Sequence, residues 1–133
     1  MGSEMDEKVE KLCIKEFGYS PKYAFDMADD FERVKETVEN YVEMAGALNE
    51  NCRRKITKIS FKSNRLNIML ARLILVTDQL AASAKESIAL KKPVKKHHVK
   101  VKEAQELIRG VEKHFESLLR DLEDYVSDVE KSY

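Results

Sequence analysis

The side chains of this chain that could do chemistry gather in two basic runs, one histidine pair and two separate cysteines. Arg53 to Arg65 holds six cations and no acid, and Lys91 to Lys102 holds six lysines, His97 and His98, again with no acid. A polyanion site needs such clustering, because each phosphate contact takes a cation. Arg53, Arg54, Lys91, Lys92, Lys95 and Lys96 are therefore candidate polyanion-binding residues. Two features weigh against a nucleic-acid partner. Lys plus Arg and Asp plus Glu each total 24, so bulk attraction is absent, and few aromatic side chains interleave the cations to stack bases. His97 and His98 are neighbours, which on a helix points them about 100° apart. Residues 91–102 offer no Asp, Glu or Cys to complete a tetrahedral set with them. The chain is expected to hold neither metal nor cofactor. Cys13 and Cys52 share no CxxC or Cys/His spacing and are expected as small buried hydrophobes.

One further spacing bears on catalysis. Arg109-Gly-Val-Glu-Lys-His114 resembles the Arg-x4-His motif of HEPN-type all-α ribonucleases, over six residues of 133 and with Gly110 where that family carries a polar residue. The resemblance implies His114 as a general base and Arg109 as a stabiliser of charge on phosphate, near a dimer interface. Read from the residues alone, the segment is a solvated Arg and a His on the flank of a helix. Leu75-Val-Thr-Asp-Gln-Leu-Ala-Ala-Ser-Ala84 resembles the Ala/Ser-rich rod helices of vinculin-like bundles, a likeness of helix composition that carries no function over.

These residues must be carried by helices. Charged residues make up 36% of the chain against four Gly and two Pro, the composition of long solvated helices. At 133 residues one domain is expected, with a short helix and turn over residues 1–19 and three long helices over 20–133. Gly18 closes a first helix of about Met5 to Phe17, and Ser20 caps the next, with Pro21 at its first position. Ala24, Met27, Phe31, Val34, Val38, Tyr41, Ala45, Leu48 and Cys52 then alternate by three and four, a heptad register. Ile56 and Ile59 prolong it, so the second helix is expected to pass Gly46 and reach residue 59. A turn is predicted at Ser60–Asn64, with Asn49-Glu50-Asn51 as the alternative.

The third helix carries Leu66, Leu70, Leu73, Val76, Leu80, Ala84 and Ile88 and ends before Pro93. The fourth repeats Val94, Val101, Ile108, Phe115, Leu122 and Val129 at one seam position, with Ala104, Val111, Leu118 and Tyr125 at the other. The fold class is all-α: an antiparallel three- to four-helix bundle with long heptad-patterned helices, coiled-coil-like in its seams, and a short N-terminal helix. In such a bundle the second basic run lies near Asp26, Asp29, Asp30, Glu32 and Glu36. The first lies near Glu116, Asp121, Glu123, Asp124 and Asp128.

Leu66 to Val76 is apolar around nearly the whole helix. Beyond the core stripe stand Ile68, Met69, Ile74 and Leu75, the candidate partner-binding residues. The first helix is expected to cover this belt at rest, with a second copy or another protein binding what it leaves exposed. The run is only 11 residues, against the ~20 of a membrane span. The acidic start lacks the layout of a signal peptide, and the expected location is the cytoplasm, with the nucleus open. Together these features point to a non-enzymatic helical protein–protein interaction module: an adaptor, regulatory subunit, scaffold or assembly component. The alternatives are a nucleic-acid-associated protein using segments 53–65 and 91–102, and a HEPN-like ribonuclease.

Overall fold

The computed structural model describes residues 2–95 and 97–131 and is an all-α helical bundle, 91% helical, with no strand among the described residues. Four helices follow one another: α1 (Gly2–Phe17), α2 (Pro21–Met44), α3 (Glu50–Leu90) and α4 (His98–Lys131), with a single 3-10 turn at Ala45–Ala47. The chain divides into two compact units, Met1–Ala28 with Leu70–Arg109 and Asp29–Met69 with Gly110–Tyr133.

The breaks between helices have local causes. α1 ends where Gly18 takes φ +81° and donates its N–H to the Ile14 carbonyl at 3.1 Å, a left-handed terminus that suits glycine. Ser20 opens α2, its Oγ accepting the Tyr23 N–H at 3.4 Å while its hydroxyl donates to Glu10 of α1. Glu10 also accepts the Lys22 N–H at 3.1 Å, placing a carboxylate at the positive end of α2. α3 ends in a Schellman motif: Lys91 is left-handed at φ 52°, and the Lys92 N–H reaches the Ser87 carbonyl at 3.1 Å.

The turn after α2 corrects the expected helix boundaries. α2 stops at Met44 instead of running to residue 59, and the predicted break at Ser60–Asn64 is continuous helix. The alternative turn is the real one. Leu48 is extended, at φ −104° and ψ 167°, and Asn49 Oδ1 accepts the Cys52 N–H at 2.9 Å as the cap of α3. The heptad spacing hid the turn because Ala45 and Cys52 are buried and Leu48 half-buried on either side of it. Ser63 misled in the opposite direction. It is buried, lying between the core residues Ile59 and Leu66 of α3, where a small hydroxyl fills a seam position. α3 is thus the longest helix at 41 residues, ~62 Å, and α2 has 24. α4 begins at His98, so Val94 belongs to the connecting segment and not to the helical seam.

In the unit of residues 29–69 and 110–133 the helix directions can be read from side-chain pairs. Lys55 bonds Asp128 and Lys62 bonds Asp121, seven residues up α3 for seven down α4, so these helices are antiparallel. The rings of Phe31 and Phe115 meet edge-on at 6.0 Å, those of Tyr41 and Tyr125 at 5.4 Å, so α2 and α4 run parallel. Both lysine pairs join the first basic run to acids that the sequence places near it. Leu66, Val111, Leu118 and Tyr125 are fully buried in this core.

The other unit, residues 1–28 and 70–109, is built from α1, the start of α2 and the facing parts of α3 and α4. Cys13, Phe17, Tyr19 and Ala24 are buried, as are Leu73, Val76, Leu80, Ala84 and Ala104. Tyr19 and Thr77 share a buried hydrogen bond of 2.8 Å, and Gln105 Nε2 donates to the Phe17 carbonyl at 2.9 Å.

Candidate functional site

Within residues 29–69 and 110–133, α3 turns one face inward and leaves another bare. Ile56, Ile59, Ser63 and Leu66 are buried. Phe61 and Ile68 each stand two residues past a core position, about 200° round the helix, and are 68% and 70% exposed. They are seven residues apart and therefore share that outward face. Lys58 and Arg65, three or four residues from them, rim the strip and are exposed. Of the six cations between residues 53 and 65, Lys55, Lys62 and Arg54 engage Asp128, Asp121 and Glu50. Among the described residues Arg53, Lys58 and Arg65 make no ion pair, so this run offers three uncommitted cations beside two bare hydrophobes.

The four partner-binding residues expected from sequence fall as follows. Ile68 and Met69 belong to this unit, Ile74 and Leu75 to the other. Ile68 and Leu75, the latter 48% exposed, lie open to solvent, while Met69 and Ile74 are half-buried. The Met69 methyl sits 2.8 Å from where a Cβ on Gly110 would be, so it fills the hollow left by that glycine on α4. Within its own unit α1 packs through Cys13 and Phe17 and leaves Leu75 exposed, so the expected cover does not reach that residue. Phe61 escaped the sequence reading because it was assigned to a turn. Its seven-residue spacing from Ile68, in a stretch without Gly or Pro, was the available signal.

A second apolar feature in this unit is a cleft of about 450 Å³ lined by Tyr41, Met44, Ala47, Leu48, Tyr125 and Val129. Glu43 also lines it, as its one carboxylate.

The candidate polyanion residues fall into two groups. Arg53 and Arg54 are exposed at the start of α3; Lys91, Lys92 and Lys95 are exposed beyond its end, in the other unit, and Lys96 lies outside the described residues. Arg109 is exposed in one unit and His114 half-buried in the other. His97 precedes α4, its Nε2 within 3.1 Å of Ser83 Oγ, and His98 opens the helix. Among the described residues no group of three or more His, Cys, Asp or Glu is placed to hold a metal ion. Cys13 and Cys52 are free and buried. Burial, aided by Glu10, pushes the Cys13 thiol up to about 11, which leaves it protonated and a poor nucleophile at neutral pH.

α3 is long and apolar enough to cross a membrane by length and composition, with an 18-residue window of mean hydropathy 1.3, a third of it buried. The core helix of a soluble bundle meets the same criterion. Arg72 in its apolar run is ion-paired with Glu103 of α4, and Thr77 is buried against Tyr19, polar contacts that suit packing against protein. Comparison with family models, with curated proteins and with solved structures finds no match for this chain.

Proposed function

We propose that this chain is a non-enzymatic helical interaction module that docks another protein, or a second copy of itself, on the outward face of α3. The observation that carries the reading is the exposure of Phe61 and Ile68, one heptad apart and rimmed by Lys58 and Arg65. Each such side chain gains roughly 1.5–3 kcal/mol on burial, so a partner helix laid along this face would recover a useful share of a binding energy. Because the rim is basic, the partner that fits best is an amphipathic helix with acidic flanks. A nucleic-acid reading draws on segments 53–65 and 91–102, and three of the six cations of the first are already engaged by carboxylates.

The test pairs light scattering over a range of concentrations with selection of helical peptides from a displayed random library on the immobilised chain. The expected result is concentration-dependent association or selected peptides, lost in each case in Phe61→Ser/Ile68→Ser. That variant should keep its circular dichroism and its melting temperature, since neither side chain is core. A chain that stays monomeric and selects nothing that distinguishes it from the double variant would overturn the reading.

A further inference from the structure

A different site lies in the unit of residues 1–28 and 70–109. A half-enclosed cavity of about 220 Å³ is walled by the end of α1, the segment before α4 and the first turns of α4. Four side chains able to carry positive charge line it, Lys95, His97, His98 and Lys102, against one carboxylate, Glu16. Lys95, His98 and Lys102 are exposed, whereas His97 is half-buried and held from α3 by Ser83. The wall opposite is fixed as well, because Gln105, which also lines the cavity, ties α4 to the Phe17 carbonyl at 2.9 Å.

The backbone adds to the same charge. The Val101 N–H donates to the His97 carbonyl at 2.8 Å, the first bond of α4. The N–H groups of His98, Val99 and Lys100 therefore precede any intrahelical acceptor. Residues 94–100 include no Ser, Thr, Asp or Asn to cap them, and the first turn of α4 carries no acid. It carries His98 and Lys100 instead, at the end of the helix where the macrodipole is already positive. Cationic side chains thus gather round a cavity whose lining offers one carboxylate, Glu16, and a bound anion relieves their mutual repulsion.

We propose that this cavity binds the phosphate group of a small soluble ligand. Two lysines supply point charges, the imidazoles and the N–H of His98, the first helical residue on the cavity wall, supply directed donors, and the cavity holds one such group with its water. The docking face of α3 plays no part in it.

The experiment is calorimetric titration of the intact chain, at low ionic strength in chloride, with inorganic phosphate and separately with glycerol 3-phosphate. Saturable binding is expected, weakened by roughly tenfold or more in Lys95→Gln/Lys102→Gln, which removes two charge-assisted donors. Lys11→Gln/Lys85→Gln, a pair of exposed lysines of the same unit outside the cavity, should bind as the wild type does. Tighter binding of the ester identifies a phosphomonoester as the ligand class; equal binding identifies the free anion. In the unaltered chain, phosphate should also slow acetylation of Lys95 and Lys102 relative to Lys11, a readout independent of any variant's folding. No saturation at millimolar concentrations, equal losses in both double variants, or no protection of the two lysines would overturn the assignment.

Discussion

The core of residues 29–69 and 110–133 is filled by large side chains that interlock. Two aromatic pairs join α2 to α4, and Leu66 and Leu118 are fully buried. The core of residues 1–28 and 70–109 also buries large side chains, Phe17, Leu73 and Leu80 among them, beside alanines at 24, 84 and 104. To this packing it adds directional bonds, with Tyr19 on Thr77 and Gln105 on the Phe17 carbonyl. Two different physical devices are therefore at work in one chain. Volume packing tolerates no hole, and a buried polar pair tolerates no missing partner.

Single substitutions should separate the two devices. Leu118→Ala opens a cavity among large neighbours and is expected to cost about 2–5 kcal/mol in denaturant unfolding. Thr77→Val keeps the shape but strands the buried Tyr19 hydroxyl, with an expected cost of about 1–3 kcal/mol. Hydrogen exchange should localise each loss, with Leu118→Ala exposing amides of residues 29–69 and 110–131 first. If Thr77→Val is neutral, the buried bond contributes little and the two cores are held by packing alike.

How much of this was legible beforehand follows the kind of contact, in both units alike. The seams of α3 and α4 were readable because heptad spacing reports volume packing: Leu66, Leu70, Leu73, Leu80, Val111 and Leu118 are all buried where the register puts them. The turn at Ala45–Leu48 was not, because its apolar residues keep the register while the backbone leaves the helix. The Tyr19–Thr77 bond joins residues 58 apart, and no local pattern announces such a pairing. The docking face was half legible: Ile68 was expected on it, but Phe61 was hidden by the misplaced turn. The cavity before α4 was visible only as a run of lysines, since its walls come from α1 and α4 together.

Two glycines sharpen the comparison, one in each unit. Gly18 holds φ +81°, and a Cβ there would come 2.9 Å from Gln105 Nε2, the very group that bonds Phe17. Gly18→Ala should therefore destabilise by about 1–2 kcal/mol, from left-handed strain together with a displaced amide. Gly110 is helical, and its added Cβ would meet only the flexible end of Met69, at 2.8 Å. Gly110→Ala should be neutral or stabilising by up to about 1 kcal/mol, the helix propensity gained once Met69 swings aside. Thermal melts of both variants decide the matter, and equal losses would mean that Met69 is as tightly held as Gln105.

The smallest expected effect concerns the ion pairs, and here the units should differ in which side of the pH range they respond to. Arg72 beside Glu103 holds that carboxyl below its ordinary value, in residues 1–28 and 70–109. The folded carboxyl then sits below the unfolded one, so the pair stabilises the fold above the unfolded value of about 4.3 and is lost as acid protonates it. In the other unit, bonding to Asp128 raises Lys55 above its ordinary value. That pair contributes below the unfolded lysine value of about 10.4 and is lost as pH rises beyond it. All four side chains are solvent-accessible, so salt screens both pairs and the effects on melting temperature should be slight. Glu103→Gln should flatten the acid limb of melting temperature against pH and leave the alkaline limb unchanged, and Lys55→Met should flatten the alkaline limb. A Glu103→Gln curve that parallels the wild type from about pH 5 to pH 3 would mean that the Arg72 pair exists without contributing to the fold.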